Sequence, residues 1–208
     1  MTAKDFSIYW TNFISQNCTS LSDWPKYYND NNLWTKITIG SKCSEEINSP
    51  FGDFLKNVSG LRYRKEDGLT DLAFAENNFF NKVYSLHKAE SERKEVLPQN
   101  AFCPKYYDIL VEHENSIYLC YQEMIKFTYI RARLKVLITY NENVDDCSDY
   151  RYANDILFKN FNTIIRQATE RCPENIDTEY LLIIGQLNNE NLNWSFYIFD
   201  YKGDLINI

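Results

Sequence analysis

Apolar residues first recur at helical spacing between residues 2 and 18, where Phe6, Tyr9, Trp10, Phe13 and Ile14 share one side and Thr2 can cap the start. Residues 19–48 lose that period. They are rich in Asn, Asp, Ser and Trp, with one short strand-like run at 34–39. A second helix is bounded on both sides, because Ser49 is a capping residue, Pro50 suits the first helical position and Gly60 suits the end. Beyond Gly60, the stretch LRYRKEDGLTDLAFAENNFF predicts strand, turn and strand, with Asp71 opening a small apolar strand. A further strand is expected at 83–89. The charged segment 90–104, with Pro98 and Pro104, is expected to be an exposed loop.

Residues 106–140 then read as strand, helix, strand. In the first strand, alternation puts Asp108, Leu110, Glu112 and Glu114 on one face and Tyr107, Ile109, Val111 and His113 on the other. Ile117, Tyr121, Met124, Ile125 and Thr128 are predicted to form the docking side of the helix. The run LKVLITY is almost continuously apolar and reads as a central strand covered on both faces. Two strands joined by a helix should be parallel, with a right-handed crossover. A long helix over 149–172 follows, with Ala153, Ile156, Leu157, Phe161, Ile164, Ile165 and Ala168 on one stripe. Two last strands, EYLLIIGQL and WSFYIFDY, suit a hairpin. The order predicts an α/β fold with a mixed central sheet flanked by helices, organised as one domain with residues 1–60 as an N-terminal helical segment added to a core at 61–208.

Composition narrows the function. With 208 residues, 44% of them hydrophobic, the chain can bury a full core, and it holds no run of 18 apolar residues and no signal-like N-terminus. A cytoplasmic protein without membrane contact is expected. The six cysteines are scattered without metal-site spacing, and only His87 and His113 are available as histidine ligands. No phosphate-loop, dinucleotide, serine-elbow or zinc-protease motif occurs. The net charge of −7 argues against a broad basic coat for nucleic acid. Basic clusters nonetheless stand at Arg62, Arg64 and Lys65, at Arg93 and Lys94, and at Arg131, Arg133 and Lys135, each expected to face solvent.

The pattern that points to chemistry is the carboxylate doublet. Glu112 and Glu114 project side by side where an apolar strand ends, an arrangement that needs a cation or a proton to relieve it. A carboxylate opening an early strand (Asp71), a strand ending in Glu112-His113-Glu114, then a helix and a strand resembles the core of the PD-(D/E)XK nuclease superfamily. The phrases VEHEN, QEMIK and LKVLITY are also similar to an uncharacterised bacterial group with this nuclease-like fold.

The resemblance implies a restriction-endonuclease-like core (αβββαβ) and Mg²⁺- or Mn²⁺-dependent hydrolysis of DNA. Asp71 and Glu112 would be metal ligands, the His113 carbonyl a backbone ligand, and Arg62 and Arg64 substrate contacts. Glu66, Asp67 and Glu76 are alternatives for the first acid. Glu114 stands where the superfamily has its lysine, so it is expected as a further ligand or a water-orienting group. Lys126, three residues after Glu123, is the candidate for the relocated lysine. The rival expectation is a degenerate nuclease fold acting as a regulatory module, with a protein partner or as a homodimer.

Overall fold

The computed structural model describes residues 1–17, 49–67, 70–76, 83–84, 95–96, 106–114, 117, 119–140, 147–188 and 191–206. The strand-like run at 34–39, the basic pair Arg93 and Lys94, and His87 lie outside the described residues, as do the side chains of Lys65, Glu66 and Asp67. Among the described residues the fold is α/β, a mixed seven-stranded sheet flanked by four α-helices.

The chain opens with helices α1 (Ala3–Asn17) and α2 (Pro50–Ser59). The Ser49 hydroxyl accepts from the Gly52 amide at 3.0 Å, Pro50 takes the first turn, and Gly60 ends α2 at φ 74°, so both predicted boundaries hold. Strands β1 (Arg62–Asp67) and β2 (Thr70–Ala75) form an antiparallel pair. Strands β3 (Val83–Tyr84) and β4 (Glu95–Val96) pair apart from the main sheet. Pairing of β4 replaces a piece of the expected loop at 90–104, and the described part of the expected 83–89 strand is confined to β3.

The centre is β5 (Tyr107–His113), α3 (Cys120–Thr128) and β6 (Ala132–Tyr140). Helix α4 (Cys147–Arg171) leads to β7 (Glu179–Asn188), β8 (Asn191–Phe199) and a short β9 (Leu205–Ile206) that was not foreseen. Sheet order is β1-β2-β5-β6-β7-β8-β9. Neighbours β5/β6 and β6/β7 are parallel, as their helical connections require, and the other neighbouring pairs are antiparallel.

Alternation along the central strands divides the core in two. On one face Phe74, Val111, Val136 and Ile183 meet Phe6, Trp10 and Phe51 of α1 and α2. On the other, Ala73, Leu110, Leu137 and Leu182 meet Met124, Phe127, Phe161 and Ile165 of α3 and α4. The stripe predicted for α4 is buried at Leu157, Phe161, Ile165 and Ala168, with Ile156 left exposed. Helix α3 is rotated from expectation. It docks through Cys120, Met124 and Phe127, while Tyr121 and Ile125 face outward, because the helix starts at Cys120 and Ile117 packs from the preceding turn.

Aromatic rings knit α1 to α2: Phe51 stands edge-on to Phe6, Trp10 and Phe13 at centroid distances of 5.4, 5.0 and 5.1 Å. Phe51 is fully buried, so Phe51→Ala should lower unfolding free energy in urea by about 3–5 kcal/mol, whereas Ser49→Ala should cost about 1 kcal/mol.

Candidate functional site

The carboxylates gather where β5 ends. The pairing Leu72↔Val111, extended one step, sets Asp71 opposite Glu112, and both fall on the α3 side of the sheet. The Asp71 carboxylate accepts the His113 amide at 2.8 Å, which ties the start of β2 to the end of β5. Arg62 and Arg64 pair with Ala75 and Ala73, so these edge-strand guanidiniums stand on the same face as Asp71. His113 points to the other face, as alternation requires. There its Nε2 lies 2.5 Å from the Tyr140 hydroxyl, and the Tyr140 ring is 5.8 Å from the Trp194 ring, so His113 is a packed residue of the opposite layer.

Glu112 is 4% exposed. Its Oε1 lies 3.2 Å from Lys126 Nζ but has no aligned hydrogen-bond donor among the described residues. Lys126 also pairs with Glu123, one turn earlier on α3, and thus bridges two carboxylates. The spacing of Glu123 and Lys126 allows either an ordinary surface pair or a lysine turned towards the strand end. The Glu123 and Lys126 side chains are 15% and 33% exposed, which makes the pair part of the site. Burial, reinforced by the charge of Asp71, pushes the Glu112 carboxyl up to about 9, against the pull of Lys126. Burial tends to lower Lys126, and its hydrogen bond to Glu123 with the charge of Glu112 outweighs this and raises it. Glu114 is half-buried, with its amide donating to the Ile138 carbonyl at 2.9 Å. Burial pushes the Cys120 thiol up, and the charge of Glu114 adds to that shift.

Three of the expected residues, Asp71, Glu112 and Lys126, therefore come together. Among the described residues no three His, Cys, Asp or Glu side chains are grouped closely enough to hold a metal ion by themselves. Asp71 and Glu112, two carboxylates on one face of the sheet, are the donor type of a hard cation that keeps most of its waters, which is the habit of Mg²⁺.

A basic residue read as solvent-facing proves buried. Lys135 is 1% exposed, with no hydrogen-bond partner for Nζ among the described residues and the Tyr180 ring 5.2 Å away. The signal was present in the sequence, since a central strand covered on both faces cannot expose its fourth residue. Burial pulls its ammonium down to about 7.

Among the described residues, no helix is long and apolar enough to cross a membrane. Compared with protein-family models, curated proteins and solved structures, the chain matches none.

The two displaced groups act on stability with opposite sign. Folded Glu112 keeps its proton up to about pH 9 while the unfolded carboxyl releases it near 4.5, so its contribution is complete at low pH and is lost as pH rises through that window. Folded Lys135 releases its proton near pH 7 and the unfolded amine near 10.5, so its contribution is complete at high pH and is lost as pH falls towards 7. Melting temperatures followed across this range should show Glu112→Gln without the fall between pH 4.5 and 9, and Lys135→Met without the rise between 7 and 10.5.

Proposed function

We propose that the chain is a metal-dependent nuclease that hydrolyses DNA phosphodiester bonds at the Asp71–Glu112–Lys126 cluster. The observation that carries this reading is the buried Glu112, pressed between Asp71 and the Lys126 ammonium on the face that also bears Arg62 and Arg64. A carboxyl so hard to ionise is one whose charge a cation must balance, and ionisation and cation binding at such a group favour each other. Mg²⁺ or Mn²⁺ bound there would supply a Lewis acid for the phosphoryl oxygen and a water acidic enough to attack near neutral pH.

The chain's own groups do the rest. Asp71 and Glu112 hold the cation, and Asp71 is fixed in place by the His113 amide. Glu114, on the same face beyond Glu112, orients the attacking water. Lys126 presents a positive charge to the phosphate as negative charge builds there, and Glu123 keeps that ammonium aimed inward. Arg62 and Arg64 bind flanking phosphates.

A second reading is favoured by the same ion pair. Lys126 already compensates Glu112 from within the chain, which is the condition under which a degenerate nuclease fold would persist as a regulatory module on a protein partner or a second copy.

Calorimetric titration with Mn²⁺, with a DNA oligonucleotide present, is expected to show binding that Glu112→Gln weakens by about tenfold or more. Asp71→Ala is expected to abolish metal-dependent DNA cleavage while the protein stays folded, with the lost bond to the His113 amide lowering the melting temperature only modestly. A chain that neither binds Mg²⁺ or Mn²⁺ nor cleaves DNA belongs to the second reading.

A further inference from the structure

A second distinctive patch lies at the opposite end of β5 from Glu112. The Arg133 side chain reaches both Tyr106 and Asp108, and the Tyr107 amide donates to the Arg131 carbonyl at 3.0 Å, which brings the starts of β5 and β6 together. Helix α3 ends at the same rim with Tyr129, whose amide closes on the Lys126 carbonyl.

Tyr129 is 78% exposed, the most exposed large hydrophobic side chain among the described residues. A ring so open contributes almost nothing to the core and has a face available for stacking. Arg133 is also exposed, yet it is held in a set orientation. Its guanidinium lies 5.2 Å over the Tyr106 ring, its Nη2 donates to the Tyr106 hydroxyl at 2.9 Å, and its Nη1 is 3.8 Å from Asp108. A pre-oriented guanidinium beside exposed aromatic rings suits a phosphate flanked by unpaired bases, and Arg131 adds a second exposed cation at the rim.

We propose that Tyr106, Tyr129, Arg131 and Arg133 form a binding surface for single-stranded DNA, with bases stacking on the tyrosines and phosphates on the arginines. This rests on the nuclease reading for its purpose: at about 3.3 Å per residue, Tyr106 is about 20 Å along β5 from Glu112, and α3 packs over the sheet between them, so DNA that reaches from the patch to the carboxylates would run along the outside of α3. Duplex DNA keeps its bases stacked inside and offers the tyrosines nothing, so the surface selects unpaired DNA.

The test is fluorescence anisotropy of labelled oligo-dT with the full chain in EDTA, where cleavage is not read. Oligo-dT is expected to bind more tightly than a duplex of equal length. Tyr129→Ala should weaken it by about tenfold, and the double change Arg131→Ala with Arg133→Ala should lower the slope of log affinity against log salt by roughly 0.7 for each phosphate that is no longer neutralised. The proposal is overturned by no binding, by binding indifferent to Tyr129→Ala and to the arginine changes, or by selective binding of oligo-U. A chain that binds oligo-dT in this manner but cleaves no DNA with Mg²⁺ or Mn²⁺ overturns the nuclease reading alone. One that cleaves DNA while its oligo-dT affinity ignores these substitutions overturns the surface alone.

Discussion

A carboxylate taken out of water must be matched by a cation or hold its proton, and the organisation of the candidate site follows from Glu112 meeting that condition at the end of a covered strand. Glu112 has no freedom to escape. Its strand is hydrogen-bonded on both sides, antiparallel to β2 and parallel to β6. Compensation therefore has to come from elements that approach it, and α3 brings Lys126 to within 3.2 Å while Glu123 shares the same ammonium. The neighbouring carboxylate, Asp71, adds repulsion that the His113 amide offsets by donating to it. Charge, proton and helix position are thus parts of one balance.

The two faces of the sheet divide the work. On the α1–α2 side, Phe51, Trp10 and their aromatic neighbours form a dry layer that fixes the sheet from behind, and His113 with Tyr140 continues that layer to the strand ends. On the α3–α4 side, the same strand ends present carboxylates. The difference between a histidine packed in the core and a glutamate in the charged cluster is therefore one residue of strand alternation. Such a site is stiff where it is strand-borne, at Asp71 and Glu112, and adjustable where it is helix-borne, at the partly exposed Lys126. That combination is what the proposed nuclease reading would need, with fixed carboxylates and a cationic side chain able to adjust.

Lys135 shows the same electrostatic rule from the other sign. It sits on the face of β6 that α3 and α4 cover, beside Tyr180 rather than an acid, and burial lowers its affinity for a proton in place of an ion pair. Glu112 and Lys135 share that face, yet among the described residues one has a charged partner and the other has none. Only the first stands at a strand end, within reach of a helix side chain.

Local signals in the chain were sufficient wherever one segment decides its own shape. Ser49, Pro50 and Gly60 bound α2 through contacts within a few residues, and alternation along 109–113 assigned Glu112 and His113 to opposite faces before any partner strand was known, although Tyr107 at the strand start packs on the α3–α4 side against that alternation. The parallel pairing of β5 with β6 followed from the helix between them. Tertiary structure decided what lies between segments distant in sequence. The start of α3 at Cys120 rotated its docking face from Tyr121 and Ile125 to Cys120, Met124 and Phe127. Pairing of β2 with β5 set Asp71, rather than another acid of its region, opposite Glu112. Burial, which is a property of the packed layers, decided between the two readings of Glu123 and Lys126 by drawing them into a charged cluster with Glu112, and it turned Lys135 from a surface base into a core amine. Strand parity and capping are encoded over a few residues by backbone geometry, whereas solvent exclusion and the charges it makes costly exist only once helices close over the sheet.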